Sequence, residues 1–148
     1  MIVAAVNKYN AENRYFPGDA EYVTPQSMKS WMMEESGSGA HRRYFETDPF
    51  QVNNRRDWPK YGEKEKIAGL SYGQAMTPQT SVEAALKWLQ FKGTVHRADG
   101  SAASYRGPYE ALRNYNAKPG LVDGIPKKDV HANDIMNRAW ASYGDRQK

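Results

Sequence analysis

Apolar residues return at the three- and four-residue spacing of a helix in several separate stretches of the chain. Ile2, Val3, Val6 and Tyr9 form the first stripe, which predicts a helix from Ile2 to Arg14 ended by Phe16-Pro17-Gly18. Thr24 and Pro25 open the second. A threonine hydroxyl caps free amides of the first turn, and proline suits the first helical position because the N–H it lacks has no partner there. Ser36-Gly37-Ser38-Gly39 closes this helix, since glycine readily enters the left-handed region at a helix end. Thr77-Pro78 repeats the same start, and Val82, Ala85, Leu86 and Leu89, widened by Trp88 and Phe91, lead to Gly93. Pro108 begins another helix carrying Tyr109, Leu112 and Tyr115 on one side. A terminal helix follows from Asp129 to Tyr143, with Val130, Ile135, Met136, Ala139, Trp140 and Tyr143 at compatible positions. Glu63 to Leu70 predicts one short helical turn.

Between these stretches the pattern changes. Arg42 to Asn54 has no helical stripe and contains Pro49, so it reads as extended, with Asp48 biased that way by the proline that follows it. If Phe50 to Asn53 is a strand, Gln51 and Asn53 face one way and Phe50 and Val52 the other. Residues 54–62 are loop by composition, with Trp58 expected to plug the edge of the core, and residues 94–106 read as a second loop. The sum is a mainly α chain forming a single domain over residues 1–148, long enough for a substantial core.

The phase of the second helix separates two adjacent carboxylates. At about 100° per residue, Met28, Trp31, Met32 and Glu35 share one face, while Ser27, Ser30 and Glu34 share another. Glu35 therefore points toward the apolar side and Glu34 toward water. A carboxyl forced among apolar groups with no cation nearby keeps its proton, because loss of solvent penalises the charged form. Such a group can deliver that proton to a leaving oxygen, the general-acid role in glycoside cleavage. The same position also suits a helix-end glutamate that merely tucks against the next turn. Gln51 and Asn53 are neutral amides that both donate and accept, which matches sugar hydroxyls and N-acetyl groups, although a strand-edge amide in solvent looks the same in sequence.

Glu35-Ser36-Gly37 at a helix end followed by Phe50-Gln51-Val52 resembles the Glu-Ser…Gln-Val pattern of soluble lytic transglycosylases and related lysozyme-like muramidases. Tyr115-Asn116-Ala117-Lys118-Pro119-Gly120 is similar to that superfamily's Tyr-Asn-Ala-Gly-Pro-Gly loop, departing from it at Lys118. The resemblance extends over residues 24–140 and implies a lysozyme-like fold, with a small β-hairpin or extended loop at residues 42–54 as the far wall of a substrate groove. It implies Glu35 as the catalytic acid, with Gln51, Tyr115 and Asn116 holding the sugar. The helix from Pro78, long and rich in bulky apolar groups, is expected to pack beneath Glu35. The resemblance further implies the β-1,4 bond between N-acetylmuramic acid and N-acetylglucosamine as the target. In these transglycosylases one glutamate serves as acid and then base, and the product closes as a 1,6-anhydro sugar. Asp48 is the candidate second carboxylate for a hydrolytic route, in which a base stands about 6.5–9.5 Å from the acid or a nucleophile about 5–5.5 Å from it.

Composition narrows the remaining choices. With 39% hydrophobic and 26% charged residues the chain is of ordinary globular make-up. It has no cysteine, hence no disulfide and no thiolate metal site, and His41, His96 and His131 lack the spacing of a zinc site. Neither metal nor organic cofactor is expected. A net charge of +4 suits an acidic polymer, of which peptidoglycan is one and nucleic acid another. The basic doublets Arg42-Arg43, Arg55-Arg56 and Lys127-Lys128 form no run of the kind that marks a nucleic-acid arm. No stretch approaches a membrane span, and Met1 to Val6 lacks the features of a secretory signal. A chain complete at Met1 and acting in the periplasm or cell wall would be delivered by a phage, a secretion machine or a larger fused polypeptide. Glycan strands are then the expected partner, with an immunity or delivery protein as a second. A non-catalytic wall-binding module, a chitin-directed hydrolase and a helical nucleic-acid binder are the competing readings.

Overall fold

The computed structural model describes residues 1–37, 42–54, 63–116 and 119–144, with the backbone alone at 63, 116 and 140–144. Among these residues the protein is mainly helical, with small two-stranded antiparallel sheets. The helices are α1 (Ile2–Asn13), α2 (Pro25–Glu35), α3 (Arg42–Thr47), α4 (Glu63–Ala68), α5 (Pro78–Gly93), α6 (Pro108–Asn116) and α7 (Lys127–Gly144). Hairpin β1 (Thr94–His96) with β2 (Ala102–Tyr105) lies between α5 and α6, and β3 (Leu121–Val122) with β4 (Ile125–Pro126) lies between α6 and α7. Lys118, Trp58 and His41 fall outside the described residues.

The two Thr-Pro starts form as their chemistry dictates. Thr24 Oγ accepts from Ser27 N at 3.1 Å and Thr77 Oγ from Thr80 N at 3.2 Å, each satisfying an amide that the helix leaves without a partner. At the other end of α2, Ser36 Oγ donates to Met32 O at 2.7 Å and Gly37 takes φ 64°. Helix α1 ends where the sequence places its end, with Arg14 as the cap, whose φ of 58° turns the chain left-handed. Its buried face is Ala5, Val6, Tyr9 and Asn10, while Val3 is exposed. Asn10 clamps the chain that feeds α2: Nδ2 donates to Val23 O at 2.8 Å and Oδ1 accepts from Val23 N at 3.2 Å, all buried.

Helix α5 is the central element, packed on α6, α4 and α1. Its last residue, Gly93, admits the Tyr105 ring and the Ala111 methyl where a Cβ would overlap them, so glycine serves close approach here rather than a left-handed turn. The expectation that α5 lies beneath Glu35 is corrected: α2 packs mainly on α7, where buried Ser30 Oγ donates to Ile135 O at 2.6 Å.

Two other expectations change. Residues 42–47 form helix α3 instead of an extended wall, and the hairpin appears at residues 94–105, read from sequence as a loop. Strands of three and four residues, mostly exposed, carry no alternating hydrophobic pattern to reveal them. Lys64 is buried: its ammonium donates to Val52 O at 2.8 Å and lies 5.4 Å from the Trp88 ring centroid.

Asn10→Ala should destabilise the protein by about 2–3 kcal/mol, because Val23 loses buried partners for both its N–H and its C=O; a urea unfolding curve reads this directly. Burial pushes Tyr105 from 10.0 up to about 12 and also raises Tyr9. Both rings are therefore neutral in the fold at a pH where the unfolded chain ionises them. The stability they contribute is full below pH 10 and lost as pH rises toward 12. Unfolding midpoints should fall across that window, with phenolate absorbance following the same curve.

Candidate active site

Glu35 ends α2, and its side chain is only 12% exposed. The i, i+4 geometry of the helix brings Trp31 Nε1 to 3.2 Å from Glu35 Oε1, and the same oxygen lies 3.0 Å from Nε2 of His131, which projects from α7. Glu35 therefore does not sit among apolar groups alone, and an ionisable imidazole stands beside it. Glu34 does not point into water either. Its Oε2 pairs with Arg138 Nη2 at 3.1 Å and its Oε1 lies 3.9 Å from His131 Nδ1, so both carboxylates of the pair are turned toward α7.

Trp31 ties this corner to the rest of the molecule. Its ring, 1% exposed, meets Tyr115 edge-on at 4.5 Å and Phe50 at 4.9 Å. The Tyr115 hydroxyl donates to Phe50 O at 2.7 Å. Tyr115 is therefore built into the core beside the candidate acid, and its hydroxyl holds the backbone. Asn116 closes α6 next to it.

Phe50 belongs to a turn organised by Asp48. Oδ1 accepts from Ser81 Oγ at 2.6 Å and from Val52 N at 3.2 Å, and Oδ2 accepts from Asn53 N at 2.8 Å. Ser81 Oγ in turn accepts from Phe50 N at 3.2 Å, fastening the turn to α5. The segment is not a strand, because Gln51 adopts φ 53° and donates to Asp48 O through both its backbone N and its Nε2. The expected division of faces nevertheless holds. Phe50 and Val52 are fully buried, while Gln51 and Asn53 line an open polar cleft of about 730 Å³ together with Asp48, Arg43, Tyr44 and Gln74.

The structure thus groups Asp48, Gln51 and Asn53 at the cleft, and Glu35 with Tyr115 around Trp31. The described lining of the cleft does not include Glu35; the Phe50 turn joins the two sites, ring and carbonyl on one side and Gln51 on the other. With three donors on its two oxygens, Asp48 acts as the cap of this turn. His131 and Arg138 were missed in the sequence. Their signal was spacing on α7, where His131, Ile135 and Arg138 stand at i, i+4 and i+7 and so share the face that meets α2.

Among the described residues no group of His, Cys, Asp or Glu is placed to hold a metal ion, and no helix is long and apolar enough to cross a membrane. Comparison of the chain with family models, with curated proteins and with solved structures gives no match.

Asp48→Ala should cost about 2–4 kcal/mol by stranding the amides of Val52 and Asn53 and the Ser81 hydroxyl. Thermal or urea unfolding measures that loss, and any activity should track the fraction folded.

Proposed function

We propose that this chain is a peptidoglycan-cleaving muramidase with a lysozyme-like arrangement, in which Glu35 supplies the proton and the cleft beside Gln51 and Asn53 takes the glycan strand. The observation that carries the proposal is the setting of Glu35: a shielded carboxyl at a helix end, with one oxygen anchored by Trp31 and His131. A group held in this way has its second oxygen available to carry a proton in a defined direction, as general acid catalysis requires.

The occupancy of Asp48 favours a single-carboxylate route over hydrolysis with a second carboxylate. On that route Glu35 protonates the bridging oxygen as the bond to the anomeric carbon of N-acetylmuramic acid breaks. The resulting carboxylate then takes the proton from that sugar's 6-hydroxyl, whose oxygen closes on the anomeric carbon. The product is a 1,6-anhydro sugar, Glu35 regains its proton, and no water is consumed. The cleft lining suits the substrate: amides of Gln51, Asn53 and Gln74 for hydroxyls and acetamido groups, Tyr44 for a sugar face, and Arg43 for a peptide carboxylate. One observation favours a second reading, a non-catalytic wall-binding module: the described cleft lining leaves out Glu35. On either reading the site of action is the periplasm or cell wall.

Purified peptidoglycan incubated with the wild type should release anhydro-muropeptides detectable by mass spectrometry. Glu35→Gln, which keeps an acceptor for Trp31 and His131, should fold normally and lose about 10²–10⁴-fold in rate. Reducing-end products would redirect attention to a hydrolytic route. Binding without release of products from either chain would favour the wall-binding module.

A further inference from the structure

His131 has no place in the proton transfers just described, yet it is the most deliberately placed ionisable group around Glu35. It is 9% exposed, comes from a different helix, and stands between two carboxylates, with Nε2 at 3.0 Å from Glu35 Oε1 and Nδ1 at 3.9 Å from Glu34 Oε1. Arg138, one helical turn beyond Ile135 on the same face, holds Glu34 through Oε2 at 3.1 Å and reaches Ser30 O at 3.4 Å. Building a basic group, two acids and a guanidinium into a helix contact costs desolvation that apolar residues would avoid. Simple packing of α2 on α7 does not require it.

We propose that His131 is a positioning residue for the catalytic carboxyl, a role that rests on the muramidase reading of Glu35. Among the described residues Trp31 Nε1 donates to Glu35 Oε1, and His131 Nε2 stands 3.0 Å from the same oxygen, within reach to donate to it. Trp31 belongs to the same helix and approaches along its axis. His131 approaches from α7, so the two donors together fix the rotation of the carboxyl group, which one alone would leave free. Oε1 becomes the anchored oxygen and Oε2 the one that carries the transferred proton. Glu34, paired with Arg138, faces the other side of the imidazole, its Oε1 3.9 Å from Nδ1. Positioning of this kind acts on the rate of the chemical step and leaves substrate affinity untouched.

The test compares His131→Gln with His131→Asn on uncrosslinked glycan strands. The Gln amide nitrogen reaches the place of imidazole Nε2 and restores the donor to Glu35; the Asn amide is one methylene too short. Both are similar in polarity, and urea midpoints of the two establish that they fold alike. His131→Asn should lose about 10²-fold in kcat at an unchanged half-saturating glycan concentration, and His131→Gln should recover most of that loss. Equal rates for the two variants, whether both high or both low, would overturn the positioning role, as would a loss confined to KM. A wild type that releases no product is a different result, since it removes the muramidase reading itself and with it any task for His131.

Discussion

The setting of Glu34 and Glu35 depends on how closely α2 lies against α7. Ser30, a small residue, allows the approach and spends its hydroxyl on a carbonyl inside α7, so two helix backbones are joined through one buried hydrogen bond. Once they are at that separation, Glu34 and Glu35 meet Arg138 and His131. The position of α7 is itself secured from the other side. Arg113 of α6 binds Asp129 in the first turn of α7 while also holding Glu110, and the β3–β4 hairpin delivers the chain into that turn. Its bend uses Asp123 and Gly124, both with positive φ, the geometry of the tight turns that match strand twist.

A second constraint is aromatic. Trp31, Phe50 and Tyr115 come from three distant parts of the chain and meet edge-on, an arrangement that aromatic quadrupoles favour and that fills the space between α2, α6 and the Asp48 turn. The polar atoms of the cluster are all used: the indole N–H on Glu35 and the tyrosine hydroxyl on Phe50 O. One cluster therefore serves as core packing and as the frame of the candidate site. Trp31 also lines a largely apolar pocket of about 150 Å³ with Met28, Leu89, Leu112 and Met136.

The helices were legible because their signals are local. Thr24-Pro25 and Thr77-Pro78 satisfy amides within their own first turns, and the stripe from Val82 to Leu89 needs only one helix to define its face. Helix α3 and the β1–β2 hairpin were not legible. One is six residues long with no buried side chain, and the other is mostly exposed, so neither offers a hydrophobic period to read. Gln51 shows an intermediate case. Alternation separated it correctly from Phe50 and Val52, yet the backbone achieves this with a left-handed residue in a turn instead of a strand.

By itself the sequence determined the mainly helical class, the ends of α2 and α5, the buried side of the Phe50 turn and the candidacy of Glu35, all of which follow from interactions within a few residues. Only the tertiary structure decided what surrounds that carboxylate. Helical phase shows that Glu35 leaves the solvent side of α2, but not which helix it meets there. His131 lies 96 residues further along the chain, and Asp48 is capped by a serine 33 residues away. Partners so distant are chosen by the packing of α7 and α5, which is set by the whole core and has no spacing in the sequence to announce it.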